Sequence, residues 1–270
     1  MSLRMMRDVL ALRDIASYCP LCGRKFGRVA KTQEHIFPRW LQKHHQLETR
    51  RLTLPNFTDK TYNKVRIDVC DKCNHLRFGR LESEVARRLR SDDAFIAAKE
   101  LDPELLALWL GKIFWLLCRK SHAFEDHRTR ENPVPDSIFP QVFMPGAAYL
   151  GMIERAYATR KSMYSCYLTD PPFPEFFYEP PFSLYVVEID TQDTRFEAFD
   201  FADNLITLGA ALRTGNLGVI CAYDGGVHRR FRRGRFQHII CEKLHPVQFC
   251  ELAARIFYDN IQSCMKMRSA

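Results

Sequence analysis

The sequence predicts an α+β protein in two parts. Three observations carry this: a basic N-terminal stretch punctuated by paired cysteines, a long apolar helical pattern around residue 110, and short apolar segments after residue 182 closed by a second long helix. At 270 residues the chain exceeds the roughly 100 to 200 residues of an average domain, and the change of character falls near residue 90. Units at 1–90 and 91–270 are therefore expected. Hydrophobic residues make up 46% and charged residues 27%, a globular composition that excludes a disordered, collagen-like or coiled-coil chain. The longest apolar run, Leu105 to Cys118, is interrupted by Gly111 and Lys112 and falls short of the roughly 20 residues of a spanning helix. The opening MSLRMMRDVLALRDIAS has no apolar core followed by a small-residue cleavage site. A cytoplasmic protein without a membrane partner is expected.

The first elements along the chain are two C-x-x-C knuckles, Cys19-Pro-Leu-Cys22 and Cys70-Asp-Lys-Cys73. Each places two thiolates at the spacing of a tetrahedral site with Zn–S bonds of about 2.3 Å, and together they complete a four-cysteine structural zinc site. Gly23, directly after the first knuckle, permits a tight turn around the metal. A redox role for C-x-x-C is the alternative, but neither knuckle sits in the βαβ pattern that role requires. The other cysteines, Cys118, Cys166, Cys221, Cys241, Cys250 and Cys264, lack such pairing and read as structural thiols.

Charge is concentrated in the same region. Residues 1–90 hold 20 basic and 9 acidic side chains, whereas residues 91–270 hold 20 and 23, out of a chain total of +8. A lopsided basic unit favours a polyanionic partner, because each neutralised phosphate releases condensed counterions; solubility alone is the plainer use of such a surface.

Residues 23 to 69 exceed the roughly 15 to 20 residues between the knuckles of a simple zinc ribbon, so further structure is built inside the gap. It contains Glu34-His35-Ile36-Phe37-Pro38-Arg39-Trp40, and Asn74-His75 follows the last knuckle. A metal that fixes Cys73 also fixes Asn74, and a strand at Val65–Val69 can return beside Glu34-His35. A carboxylate and an amide oxygen then suit a hard cation, Mg2+ or Mn2+, with open water positions, and leave the imidazole free. Phe37 and Trp40 are expected in the core, with Pro38 in a first helical turn.

The ordered set C-P-L-C-G (19–23), E-H-I-F-P-R-W-L (34–41), V-C-D-K-C-N (69–74) and G-R-L-E (79–82) resembles the HNH endonucleases of the His-Me finger (ββα-metal) group, in their zinc-stabilised version. The likeness covers Tyr18 to Glu84, about a quarter of the chain. It implies a zinc-bound ββα-metal nuclease unit that cuts DNA, with His35 as general base, Glu34 and Asn74 on the catalytic Mg2+ or Mn2+, and Cys19, Cys22, Cys70 and Cys73 on structural Zn2+. It departs from the commonest pattern in carrying Glu34 where Asp is usual and Asn74 where the final His is usual. The middle position, which holds the ββ loop, falls to Asn56 or Asn63.

The resemblance also implies a helix near the DNA minor groove. Here Arg77, Arg80, Arg87, Arg88 and Arg90 punctuate a stretch in which Leu76, Leu81, Val85 and Leu89 recur at helical spacing. Arg39, Lys43, Arg77, Arg80 and Arg87 are the candidates for nucleic-acid contact; an ordinary solvated face is the competing reading, and Glu84 can pair with Arg87 or Arg88 at helical spacing. Glu82 is expected to anchor the fold. His44 and His45 read as exposed, and His75 as a lesser candidate for a third metal ligand. RNA or branched DNA would use the same site, and a homodimer or regulatory protein partner is compatible with it. Restriction, phage defence, homing and repair are the settings that the family suggests.

After residue 90 the pattern speaks alone. Asp102-Pro103 opens a helix over Glu104–Ser121, as N-cap and first helical residue. Proline-rich stretches at 131–146 and 170–181 read as irregular, with a helix between them over Ala147–Tyr164. Strands follow at Ser183–Ile189, Arg195–Phe201, Gly218–Tyr223 and Phe236–Cys241, with turns at 191–194 and 224–226. They predict an antiparallel sheet covered by a helix over Pro246–Met267, whose Phe249, Leu252, Ala253, Ile256 and Phe257 share a face. His228 to Phe236, five arginines interleaved with aromatics, is a candidate phosphate or base contact. The accessory part is thus α+β, with substrate recognition, regulation or docking as its candidate roles. A zinc module that binds nucleic acid or protein without catalysis is the alternative for the whole chain.

Overall fold

The computed structural model describes residues 17–22, 24–54, 58–122, 182–204, 209–223 and 236–268. The described residues are a mixture of helices and small antiparallel sheets: two of two strands and one of four. The chain divides into two compact units, Met1–Ala86 with Lys112–Gly151, and Arg87–Gly111 with Met152–Ala270. The first unit thus takes in a stretch from well beyond residue 90.

In the first unit, β1 (Lys31–His35) pairs antiparallel with β4 (Arg66–Cys70), setting Lys31 opposite Cys70 and His35 opposite Arg66. This is the return strand expected from the sequence. Between them lie α1 (Arg39–His44), the hairpin of β2 (Arg51–Thr53) and β3 (Asp59–Thr61), and a 3-10 turn at Tyr62–Lys64. Ile36, Phe37, Trp40, Leu41, Leu47, Leu54, Tyr62, Val65 and Val69 are buried, so Phe37 and Trp40 do form the core of this segment. Pro38 is the N-cap of α1 instead of its first helical residue, with φ −55° and ψ 140°, the extended geometry that proline adopts readily.

After β4 the chain makes a π-helical turn, Lys72–Phe78, and continues into α2 (Gly79–Leu89). Leu81, Val85 and Leu89 are buried as expected, but Leu76 is 55% exposed and Phe78 takes the core position. The wider π turn shifts the phase on which a regular 3.6-residue repeat relies. Gly79 closes that turn against the Asn74 carbonyl: a Cβ there would lie 2.9 Å from the oxygen. Alanine ordinarily favours a helix over glycine by roughly 0.5–1 kcal/mol, but a backbone oxygen has little room to yield. Gly79→Ala is therefore expected to destabilise the chain by about 1–3 kcal/mol, read as a lower midpoint in thermal unfolding. An unchanged or raised midpoint would refute the close packing of this turn.

The helix α4 (Pro103–His122) is buried throughout from Leu106 to Arg119. Its start is capped by Asp102, whose carboxylate accepts the Glu104 N–H at 2.9 Å. Its residues through Gly111 belong to the second unit and those from Lys112 to the first.

In the second unit, β5 (Ser183–Glu188), β6 (Phe199–Asn204), β7 (Gly209–Thr214) and β8 (Leu217–Ala222) form one antiparallel sheet in the order β5-β8-β7-β6. The short helix α3 (Ala94–Lys99) packs against β5 and β8. Asp93 caps it by accepting the Ile96 N–H at 3.0 Å, and Asn216 of the β7–β8 turn donates to Asp93 at 2.9 Å. The C-terminal helix α6 (Pro246–Arg268) lays Phe249, Leu252, Ala253, Ile256 and Phe257 into a core with Tyr185, Val187, Ala211 and Ile220. Phe249 sits directly over Gly218, where a Cβ would meet its ring at 2.6 Å.

Three assignments differ from expectation here. The central strand β7 is additional. β6 begins at Phe199 instead of Arg195, because Arg195 is engaged by Asp193 in the preceding loop, at 2.9 and 2.7 Å. Residues 237–240 form a short helix, α5 (Gln237–Ile240), instead of a strand, with Phe236 buried in the α6 core. Cys118 and Cys221 are buried thiols, whereas Cys241 and Cys250 are exposed. Arg88 pairs with Glu100 at 3.2 Å. Gly23, Asn56, Cys166, the side chain of Cys264, the segments expected at 131–146, 147–164 and 170–181, the turn at 224–226 and the arginines of 229–235 lie outside the described residues.

Candidate metal centre and its surroundings

Two local structures present the sulfurs. At the first knuckle, Tyr18 and Lys25 form a β-bridge, Cys19 N–H donates to Arg24 O at 2.9 Å, and Phe26 N–H donates to Ser17 O at 2.7 Å. The second knuckle straddles the junction of β4 and the π turn, and is pinned to the start of β1 by Asp71 N–H to Ala30 O at 3.0 Å. The β1–β4 pairing thereby brings together pairs of cysteines 48 or more residues apart in the chain. The sulfurs of Cys19, Cys22, Cys70 and Cys73 all lie within 4.8 Å of one another, with Cys22 to Cys70 at 3.6 Å. Tetrahedral Zn–S bonds of about 2.3 Å require sulfurs about 3.8 Å apart, so the donor set fits a metal such as zinc. Among the described residues this is the one cluster of three or more His, Cys, Asp or Glu side chains placed to share an ion.

The electrostatics agree with that fit. Hydrogen bonds from Cys22 and Cys73, with the Cys70 N–H at 3.3 Å, hold the Cys19 thiol far below its ordinary range. The same sharing drives Cys73 upward and Cys22 up to about 12. Four crowded thiols cannot all ionise unaided; a divalent cation removes the conflict by taking every sulfur as thiolate.

One side of α4 supports this centre. Trp115 donates its indole N–H to the carbonyl of Pro20, inside the first knuckle, at 2.8 Å. The Arg119 guanidinium lies 5.9 Å from the Trp115 ring. Burial lowers the Arg119 pKa to about 10, and the neighbouring Cys19 acts in the opposite sense. One helical turn earlier, Lys112 is 1% exposed and its ammonium bonds both Glu34 Oε1 and Glu82 Oε1. Burial acts to lower the Lys112 pKa, but the Glu82 and Glu34 carboxylates outweigh it and raise the value. Glu34 is also raised, chiefly by burial, with Lys112 opposing and Glu82 reinforcing. Glu82 is thus tied into the fold by Lys112, a residue that sequence reasoning registered only as a break in an apolar run. The available signal was a cation at 112 spaced i, i+3, i+7 with Trp115 and Arg119 in an otherwise apolar helix; such a charge needs acidic partners.

The candidate catalytic residues do not all converge. Side chains alternate along β1, so Thr32 and Glu34 share one face and Gln33 and His35 the other. Asn74 donates its side-chain N–H to Thr32 Oγ1 at 3.1 Å, which places it on the Glu34 face. Glu34 Oε2 and Asn74 Oδ1 accept no hydrogen bond among the described residues, and the two carboxylates around Lys112 outnumber its single positive charge. These oxygens fit the donor chemistry of a hard cation. Glu34, however, is only 8% exposed and already ion-paired.

His35 is half-buried on the other face, opposite Arg66. Burial first, then the charges of Arg66 and Arg39, lower its pKa. The imidazole is therefore neutral at pH 7, the form that accepts a proton. The carbonyl of Asn63 accepts the Arg66 Nε–H at 2.8 Å, and its side chain accepts the Thr61 hydroxyl at 2.7 Å; Asn63 thus stabilises the loop that leads into β4. Of the other contact candidates, Arg39, Lys43, Arg80 and Arg87 are exposed, and the side chain of Arg77 lies outside the described residues. His44 is exposed and His45 half-buried. His75 is exposed and pairs with Asp71 at 2.8 Å through Nδ1.

Comparison with protein-family models, with curated proteins and with solved structures finds no match. No helix among the described residues is long and apolar enough to cross a membrane.

Proposed function

We propose that the first unit is a metal-dependent HNH-type endonuclease that hydrolyses DNA phosphodiester bonds, with restriction or phage defence as its setting. The supporting observation is the gathering of two distant C-x-x-C pairs into one four-sulfur centre, which fixes the Glu34-His35 strand beside its return strand and Asn74 just past the last ligand. Composition alone has no use for that arrangement, and the E-H and C-N motifs sit at its two ends.

In this reading His35 takes the proton of the attacking water, a role suited to an imidazole kept neutral by burial and by Arg66 and Arg39. Glu34 and Asn74 would hold Mg2+ or Mn2+, which supplies positive charge where the departing 3′ oxygen becomes negative. Lys112 fixes the Glu34 carboxylate. One such site cuts one strand, so a double-strand break requires a second copy or a second event.

A second reading has its own observation. Glu34 is engaged by Lys112, and His35 occupies the opposite strand face, which is the economy of a zinc module that binds nucleic acid without cutting it. Nicking of supercoiled plasmid in Mg2+ or Mn2+ separates the two. The full chain is expected to nick, and His35→Ala to lose at least 100-fold of that rate while retaining its zinc and its melting temperature. Equal rates for both proteins would remove catalysis from this site.

A further inference from the structure

Arg66 lies directly opposite His35 in the β1–β4 register, and facing residues in an antiparallel pair stand about 4.5–5.5 Å apart at Cβ on one face. Its Nε–H is committed to the Asn63 carbonyl at 2.8 Å, which orients the guanidinium and leaves both terminal nitrogens as donors. Arg39, four residues after His35, opens α1 and adds a second exposed charge at the end of β1. Both arginines are exposed, and neither forms an ion pair among the described residues. Asp68, two residues along that face, is taken by Lys31 at 2.7 Å. Two exposed guanidinium groups without a carboxylate partner thus lie beside the His35 imidazole, an arrangement that matches the bidentate geometry of a phosphodiester.

We propose that Arg66, with Arg39, binds one backbone phosphate of DNA directly beside the His35 imidazole. The inference takes its polyanion from the endonuclease reading and adds the residues that seat it; Arg66 belongs to none of the sequence motifs. The Asn63 carbonyl acts as the positioning group, because it fixes the plane of the Arg66 fork.

Binding of a fluorescently labelled DNA duplex to the full-length zinc-loaded protein, measured by anisotropy without Mg2+ across a salt series, tests this apart from cleavage. Arg66→Ala is expected to weaken binding severalfold and to reduce the slope of log affinity against log salt by about one phosphate contact. Arg66→Lys is expected to restore the slope. Arg51→Ala, which removes an equal charge already near Asp59 at 3.9 Å, provides the comparison for net charge alone. Arg66→Gln replaces the alanine variant if that variant loses its zinc. Equal slopes for parent and Arg66→Ala, or equal losses for Arg66→Ala and Arg51→Ala, would overturn the assignment. A His35→Ala protein that nicks like the parent would instead remove the hydrolytic reading and leave this binding result to stand or fall by its own slope.

Discussion

Cys73→Ser is expected to abolish stoichiometric zinc binding and to unfold the β1–β4 pair, while the four-stranded sheet of the second unit persists. Apparent zinc-binding energies of about 10–16 kcal/mol in small four-ligand modules are as large as the whole stability of a domain, about 5–15 kcal/mol. Among the described residues, the segment around the knuckles is built on two short two-stranded sheets and short helices, with α4 bonded to it at Pro20 and Glu34. Metal released into a chromogenic chelator gives the stoichiometry, and amide hydrogen exchange locates the lost protection. Cys221→Ala, at a buried thiol in β8, is expected to keep one zinc per chain. A Cys73→Ser protein that still carries one zinc, with β1 amides protected as in the parent, would refute the four-sulfur centre.

The second large effect is expected at Lys112. Removing one partner from a buried ion pair costs about 3–5 kcal/mol, because the remaining charge is stranded away from water. Lys112→Met preserves much of the aliphatic stem but leaves the Glu34 and Glu82 carboxylates close together without a cation. Urea unfolding followed by tryptophan fluorescence should show a loss in that range. Neutralising both acids in the same chain, with Glu34→Gln and Glu82→Gln, should recover a substantial part of the loss. This follows because well-packed neutral groups can replace a buried charge cluster at little cost. A Lys112→Met protein within about 1 kcal/mol of the parent would mean that the three charges are not desolvated together.

What the sequence made legible follows a physical division. Short-range signals translated well: the knuckle spacing predicted the four-sulfur cluster, Asp102-Pro103 marked the start of α4, and the apolar face of α6 was read residue by residue. The failures came where distant contacts overrule local preference. Gly209-Ala210-Ala211 has little intrinsic strand character, yet β7 lies between two partners and is buried along its length. Phe236-Gln-His-Ile-Ile-Cys has a strand-like composition, but Phe236 is drawn into the α6 core and the next residues coil into a helical turn. At the candidate site, the chain positions of Glu34, His35 and Asn74 were visible, but their division between two strand faces was not. That division follows once Lys31–His35 is a strand, since neighbouring side chains alternate, and once Asn74 packs onto Thr32; Arg66 and Lys112 enter the site only through pairing and packing.

The Lys112 contacts also impose an order on biosynthesis. Glu82 and Glu34 precede their shared cation by 30 and 78 residues, so a ribosome delivers all four sulfurs before it delivers the charge that neutralises those acids. Until α4 emerges, those two carboxylates must stay in water, because burying them without the Lys112 ammonium would strand their charge. A polypeptide released before that helix would hold all four sulfurs yet lack the cation that lets its acids be buried.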